Sequence, residues 1–313
     1  MRLLGAAQVR NEADIVEAFV RHNLTVLDGL VVVDHGSVDG TPDILRRLIG
    51  EGLPVFLGHE TAPEFDQQVM RNRLVRHVFA SSDADWVFPI DADEFIKTPA
   101  RSVLEDALTE RTLATDVSME WHTYVPRFDA QADLLTLLRS ARRVRDEGHG
   151  LRKVAVSRTF AARSDLFLTK GQHRVESSSD STPRPRTLLP ADIVSLAHVP
   201  VRSARQFTAK VAVSWLANLR TPRREHNESI HMREAYEYLR SGRPLTPRQL
   251  EAFAMNYSVP MERWLPSDAI ALEDDPFLAD IELAYKRDAE FDPLALVLQS
   301  AEQLIRAARP TAS

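Results

Sequence analysis

The stretch Trp86-Val-Phe-Pro-Ile-Asp-Ala-Asp-Glu-Phe95 runs from apolar residues into two carboxylates one residue apart. In an extended chain, residues i and i+2 point to the same side, so Asp91 and Asp93 can offer both carboxylates to one point just past a buried strand. Two hard oxygen donors suit Mg²⁺ or Mn²⁺ and leave coordination positions open for diphosphate oxygens. Such a pair could stabilise the negative charge that develops on a departing nucleoside diphosphate, as nucleotide-sugar chemistry requires. The competing reading is a solvated acidic turn, or a helix N-cap with Glu94 in the first turn. The pair follows the fourth apolar run of a repeating series, which favours the site.

The elements that would position it read as follows. Leu3 to Val9 is a candidate strand. Asp14 with Glu17 resembles a capping box before a helix whose apolar face carries Val16, Phe19, Val20 and Leu27. Val31 to Val33 form a β-branched run ending at Asp34. Thr41 as N-cap and Pro42 at the first helical position then open a second helix with Ile44, Leu45 and Leu48 inward. Val55 to Leu57 and Trp86 to Ile90 read as the third and fourth strands, with a helix carrying Met70, Leu74 and Val78 between them. Strand and helix alternating at this spacing predict an α/β fold: a Rossmann-like, mostly parallel sheet with helices on both faces. Pro89 fits only at a strand end, because it cannot donate to a central ladder. Ligands bind beyond the carboxyl ends of such strands, where Gln8 to Glu12, Asp34 to Asp39 and Asp91 to Glu94 should gather.

Val117 to Val125, Lys153 to Phe160 and Ile193 to Val199 read as further strands, separated by loops that include Ser177 to Arg186. From Ser203 the pattern turns helical. Ser203 with Gln206 makes a capping box before Phe207, Val211 and Trp215, and Thr246-Pro247 and Asp292-Pro293 are further helix starts. Phe207, Trp215, Phe253 and Trp264 lie at helical spacings within their segments and read as core. Residues 1–200 are expected to form the binding and catalytic domain, and 201–313 a C-terminal helical extension.

The 313 residues suit one large α/β domain with appendages, or two domains. Hydrophobic residues at 44% and charged residues at 27% are globular values. With 39 basic against 45 acidic residues, the net charge of −6 argues against a dedicated nucleic-acid binder. The lack of cysteine excludes disulfides, thiolate metal sites and a cysteine nucleophile. No apolar run approaches the roughly 20 residues that span a bilayer. The short stretch Leu3 to Ala7 reads as a strand and not as a signal peptide, so the expected location is cytoplasmic.

Four motifs in order carry a resemblance: Val9-Arg10-Asn11-Glu12, Asp34-His-Gly-Ser37-Val-Asp39-Gly-Thr41, Arg71-Asn72 and Asp91-Ala-Asp93-Glu94-Phe95. Together they resemble the signature of family 2 type glycosyltransferases with a GT-A fold, closest to a bacterial branch with an RNE, DHGSxDGT and DADEF pattern. The resemblance spans about residues 3 to 97 and continues more loosely through Lys153, His173 and His198 to Ser203. It implies a metal-dependent transfer of sugar from a nucleotide sugar, a UDP-sugar by preference, to an acceptor hydroxyl with inversion. The implied partners are that donor and a saccharide or lipid-linked acceptor, and the implied cofactor is Mn²⁺ or Mg²⁺ on Asp91 and Asp93.

The resemblance also implies roles for single residues. Gln8, Arg10 and Asn11 would border the nucleotide base, with Asn11 and Glu12 holding that loop or meeting the nucleotide. Asp34 would accept hydrogen bonds from base or ribose, or cap its turn, while Ser37 and Asp39 organise that turn. Arg71 would face base or phosphate, or else solvent. Lys153 would set a point charge at the diphosphate, or else snorkel at the surface. A further metal ligand is expected from the second half, where His122, His173 and His198 compete. His198 is preferred because it ends a strand before a helix N-terminus near Arg202. An inverting transfer needs a base, for which Glu176 and His173 are the named candidates, with Asp180 and Glu120 also open.

The run Arg139, Arg142, Arg143 and Arg145 could meet a lipid phosphate or an anionic membrane surface, or be a solvated helical face paired with Asp146 and Glu147. Two other functions stay open. A nucleotidyltransferase also uses strand-end carboxylates and metal, but Ala6 to Glu12 holds no glycine-rich phosphate loop. A non-catalytic nucleotide- or sugar-binding protein could use the same fold.

Overall fold

A computed structural model describes residues 1–60, 67–111, 114–128, 132–182, 184, 186–220, 230–285 and 292–306. Positions 183 and 185 of the Ser177 to Arg186 loop lie outside them. The first quarter alternates as expected: β1 (Leu3–Val9), α1 (Val16–Asn23), β2 (Gly29–Asp34), α2 (Thr41–Gly50), β3 (Val55–His59), α3 (Gln67–Ser81) and β4 (Trp86–Pro89). These four strands pair in parallel in the order β3-β2-β1-β4. Pro89 ends β4 opposite Ala6, and the next amide, Ile90, donates to the Ala6 carbonyl at 3.1 Å. The proline therefore costs the ladder nothing beyond its own missing donor.

The chain continues through β5 (Glu94–Lys97), α4 (Arg101–Thr109), β6 (Asp116–Val125), α5 (Leu134–Arg139), β7 (Arg142–Val144) and β8 (Arg152–Ser157). After α6 (Arg158–Ala161) come β9 (Leu166–Leu168), β10 (Val175–Ser177) and β11 (Ser195–His198). Beyond β4 the sheet turns antiparallel through β8, β6 and β7, while β11 runs parallel to β6. The molecule is thus a mixed α/β structure, parallel over its first four strands. The strand expected over Lys153 to Phe160 ends at Ser157, whose side chain accepts from the Thr159 amide and starts α6.

Helices cover both faces. α1 and α2 bury Val16, Phe19, Ile44 and Leu45 in the core that holds Leu3, Ala7, Trp86 and Phe88. α3 buries Leu74, Val75 and Val78 in a second core with Leu4, Ala6 and Val87. The alternation of β1 and β4 residues between the two cores is the period-two rule of a strand buried on both sides. Each such side chain contributes about 2 kcal/mol by leaving water.

Past residue 200 lie α7 (Ala204–Arg220), α8 (Ile230–Arg240), α9 (Pro247–Met255), β12 (Leu272–Glu273) and α10 (Pro293–Arg306). Phe207, Val211 and Phe253 pack with Val125 and Val144 of the sheet, and β12 pairs with β7. The capping starts at Ser203, Thr246 and Asp292 form as expected. No helix among the described residues is long and apolar enough to cross a membrane.

Three local expectations give way to long-range partners. Thr41 is not the N-cap of α2: Gly40 holds that place with no side-chain cap, and Thr41 Oγ1 accepts the Glu12 amide at 2.8 Å. The Asp14 to Glu17 capping box does not form: α1 starts at Val16 with no side-chain cap. Asp14 instead takes Arg202, and Glu17 accepts the amides of Ala284 and Tyr285 at 2.8 Å each. The arginine run is not a helical face paired with Asp146 and Glu147. Arg142 and Arg143 lie on strand β7, and the run pairs with Glu273, Asp274, Asp275 and Asp280.

His22 ties the returning C-terminal segment to α1, with Nε2 donating to the Ile96 carbonyl at 2.9 Å and Nδ1 accepting the Ala279 amide at 3.0 Å. Burial pushes its pKa from 6.5 down to about 4 against the opposing hydrogen bond to the Ile96 carbonyl. Between those values the folded chain binds fewer protons than the unfolded one, so this contribution is whole above pH 6.5 and is lost as pH falls toward 4. It amounts to at most about 3 kcal/mol. Urea-unfolding free energies should fall less steeply over that window in His22→Gln than in wild type. Equal slopes would refute the assignment.

Candidate active site

Register brings the first group of charges together. β8 pairs Val156 with Val87, so Lys153, three residues earlier, falls just past the end of β4. Its Nζ lies 2.9 Å from Asp91 Oδ2, 2.8 Å from Glu94 Oε1 and 3.3 Å from Gln172 Oε1. From the other core, α3 sends Arg71 across the strand ends, where it donates to the Ile90 carbonyl at 2.9 Å and pairs with Asp91 Oδ1. Glu94 Oε2 accepts the Asp91 amide at 2.9 Å. Burial alone would raise the Asp91 pKa, but the Lys153 ammonium and the Arg71 guanidinium outweigh it and hold the carboxyl far below its ordinary range. Glu94, with no exposed surface, is pushed by burial up to about 7 despite Lys153.

Asp93 has its own cations. Lys210 Nζ of α7 lies 2.5 Å from Asp93 Oδ2, His198 Nε2 3.5 Å away and Arg202 Nη1 3.9 Å away. Arg202 also grips Asp14 and Glu12, at 2.6 and 2.8 Å, and so ties the β1 exit loop to Asp93. Against the effect of burial, Lys210 and His198 hold Asp93 well below the carboxylate range. Burial lifts Glu12 to about 7 even beside Arg202. Trp121 stacks on His198 with centroids 4.4 Å apart, and Tyr257 meets the same imidazole edge-on at 5.0 Å. Lys153 and Lys210 sit over the Trp121 and Tyr257 rings at 5.6 and 5.8 Å. An aromatic wall thus backs both carboxylates.

The loops after β1 and β2 are laced to each other. Asn11, at φ 56°, donates its amide to Ser37 Oγ at 2.9 Å and accepts the Val38 amide on Oδ1 at 2.8 Å. Asp39 accepts the Ala13 and Thr41 amides, both at 3.0 Å, and Thr41 Oγ1 accepts the Glu12 amide at 2.8 Å. Asn11, Ser37 and Asp39 therefore build the rim. Asp34 Oδ2 accepts the Ser37 amide at 3.3 Å, while its buried Oδ1 has no hydrogen-bond partner among the described residues. Gln8 Nε2 meets Met70 Sδ at 3.4 Å and leaves Oε1 without one. Arg10 reaches Gln303 of α10 at 3.3 Å.

The structure thus gathers Gln8, Arg10, Asn11, Glu12, Asp34, Arg71, Asp91, Asp93, Lys153 and His198 at one end of the sheet. Arg71 and Lys153, 2% and 1% exposed, meet neither solvent nor open space. Their charge is spent on Asp91, because a buried carboxylate needs buried cations more than a free surface does. His173 donates Nδ1–H to the Arg152 carbonyl at 2.6 Å, so Nε2 is the acceptor nitrogen. Burial, then Lys153, pushes its pKa down to about 4, which keeps the ring neutral. A Cβ on Gly171, at φ +71°, would lie 2.4 Å from that Nε2, so the turn needs glycine to leave the imidazole its place. His122 pairs instead with Glu120 at 3.1 Å. Glu176 is exposed on β10, in a separate cleft with Asp116 and Ser118. Lys210, Trp121 and Tyr257 carry no motif of their own, and Asp14 reads as a helix cap in the sequence but takes Arg202 here. The one sequence sign of Lys210 is a lone charge inside the apolar run Val211 to Val213 and Ala209.

Among the described residues no three His, Asp or Glu side chains form a ready cage for an ion. Asp93 lies beside His198, whose buried Nδ1 has no hydrogen-bond partner, and Asp91 stands two residues away with both oxygens on Arg71 and Lys153. Carboxylate and imidazole are nevertheless donor types that suit an ion taking its other ligands from phosphate. The donor types suit a divalent cation on those terms, and the Lys210 ammonium occupies Asp93 Oδ2 in this structure.

No protein-family description matches the chain, and no curated protein matches it. Among solved structures it is similar to the mannosyltransferase PcManGT from Pyrobaculum calidifontis in complex with GDP-Man and Mn²⁺, at 18% identity over 98% of this chain and 88% of that one, with a TM-score of 0.41. It is also similar to glucosyl-3-phosphoglycerate synthase from Mycobacterium tuberculosis, in complex with Mn²⁺, UDP-glucose and phosphoglyceric acid, at 19% identity over 50% of this chain and 57% of that one, with a TM-score of 0.29.

Proposed function

We propose that this chain is a GT-A type glycosyltransferase that moves a sugar from a nucleotide diphosphate sugar to an acceptor hydroxyl. One observation carries the reading: buried polar atoms without partners cluster at the carboxyl edge of the sheet, around Asp91 and Asp93. Gln8 Oε1, Arg10 Nε, Asp34 Oδ1, Gln172 Nε2 and His198 Nδ1 are among them. Folded chains rarely leave such atoms unpaired, and a polar ligand seated there would satisfy them. Asp34 and Gln8 suit the donors and acceptors of a base and ribose. Asp91, Asp93 and His198 would hold Mn²⁺ or Mg²⁺, which when bound neutralises charge on the diphosphate leaving group.

The chain's own residues do the rest. Lys153 and Arg71 keep Asp91 ionised and fixed, and Lys210, His198 and Arg202 do the same for Asp93. Trp121 and Tyr257 keep water from one side of the reacting sugar. His173 Nε2, neutral and an acceptor, takes the proton of the acceptor hydroxyl in a direct displacement that inverts the anomeric centre. The acceptor in this reading is a saccharide or a lipid-linked saccharide.

The reading is tested by thermal unfolding with UDP and GDP, each with Mn²⁺ or with EDTA. One nucleotide with Mn²⁺ at 100 times its Kd should stabilise the fold by about 2.7 kcal/mol, and EDTA should remove the effect. Absence of a shift with every pair would sink it. Release of pyrophosphate from a donor would instead mark a nucleotidyltransferase.

A further inference from the structure

The β6–β8 ladder has a second face. Val117, Met119, Trp121 and Ala155 belong to the core under the active site, whereas Val154 and Val156 belong to the other core with Leu168 and Val175. Asp116 and Ser118 pair with Val156 and Val154 and therefore face this second side. There they line a cleft of about 320 Å³ with Arg174, Glu176, Asp180, Arg184 and Arg186. Asp116 is level with Val87 through Val156, four residues short of Asp91, or roughly 13 Å along the strands. The cleft is not the nucleotide site.

Its composition is that of a ligand pocket. Ser118 is 1% exposed, yet its Oγ has no hydrogen-bond partner, and neither has the buried Nε of Arg184. Arg184 pairs with Asp116 at 3.7 Å. Arg186, exposed at the rim, lies near the like charges of Arg174 and Arg152, with Asp116 opposing them. Arg174 and Arg186, which make no ion pair within 4 Å among the described residues, suit a phosphate, while Ser118, Glu176 and Asp180 suit hydroxyls. The volume matches a small molecule.

We propose that this cleft binds the phosphate monoester of a small polyhydroxy compound, with Arg174 and Arg186 on the phosphate and Ser118, Glu176 and Asp180 on the hydroxyls. Calorimetric titration of the full chain with glucose 6-phosphate, inorganic phosphate and glucose tests it. Glucose 6-phosphate should bind, and both fragments should bind at least about 10-fold more weakly. Arg174→Gln with Arg186→Gln, both exposed positions, should weaken binding about 30-fold. Ser118→Ala should weaken it about 5-fold without lowering the Tm of the free protein, since the hydroxyl it removes has no partner there. Asp93→Asn should leave the affinity unchanged. No binding at about 10 mM, an affinity indifferent to the arginine pair, equal affinity for inorganic phosphate, or a loss in Asp93→Asn would each overturn the assignment.

Discussion

Asp93→Asn should lower donor turnover about 10³-fold while the chain stays folded. The amide keeps the shape of the side chain but gives up the charge that would hold a cation against the leaving diphosphate, an effect of about 4 kcal/mol on the barrier. The fold tolerates the change because the cations around Asp93 have other resources. Arg202 retains Glu12 and Asp14 at 2.8 and 2.6 Å, and the Lys210 side chain is 18% exposed and so keeps some water. Asp91→Asn should lower turnover to a similar extent but cost stability as well, about 3 kcal/mol. It strips a carboxylate from Arg71 and Lys153, both 2% exposed, and an unpaired buried charge is expensive. Turnover measured as release of nucleoside diphosphate, beside urea unfolding of each variant, separates the two effects. Wild-type turnover in Asp93→Asn would remove the metal role, and equal stability loss in both variants would contradict the partner assignments.

That asymmetry between two aspartates one residue apart also marks where the sequence stops being legible. The parallel strands and their helices are written locally. Leu3 to Val9 and Trp86 to Pro89 are runs buried on both faces, Val31 to Val33 are half-buried on one face, and Pro42 sits in the first turn of α2. The carboxylates at the end of β4 follow from the same local pattern. What neutralises them does not. Lys210 meets Asp93 across 117 residues, Arg202 meets Asp14 across 188, and Lys153 meets Asp91 across 62. Nothing in the neighbourhood of a lysine in sequence says whether its ammonium ends in water or on a buried carboxylate. The same gap explains Asp14 and Glu17, a capping box by spacing whose carboxylates are drawn to Arg202 and to the Ala284 and Tyr285 amides. It explains the arginine run, neutralised by the segment from Glu273 to Asp280 instead of by its own neighbours. Arg71 and Lys153 were recognisable as residues of the site. Their buried place beside Asp91 needed the register of β8 against β4.

Lys153→Met tests that buried centre most severely. Methionine fills the lysine stem but leaves Glu94, with no exposed surface, without its cation, and leaves Asp91 with Arg71 alone. A loss of about 3–5 kcal/mol is expected for one half of a buried pair. Its pH dependence identifies the cause. In the wild type, burial already holds the Glu94 pKa near 7 against 4.5 for an ordinary glutamate. Between those values the folded state binds more protons than the unfolded chain, so this group's contribution falls as pH rises. Without Lys153 the folded pKa moves higher still, and the window of loss extends above 7. The penalty of Lys153→Met should therefore be larger at alkaline than at mildly acidic pH. Adding Glu94→Gln should cancel that difference, because the amide oxygen can still accept the Asp91 amide, now at 2.9 Å from Oε2, and carries no charge to strand. The double variant should recover about 1–2 kcal/mol over Lys153→Met at high pH and little at low pH. Urea unfolding of the three proteins at the two pH values decides the matter. A penalty independent of pH, or unrelieved by Glu94→Gln, would mean that Lys153 stabilises the fold through its packing on Trp121 and not through the carboxylates it touches.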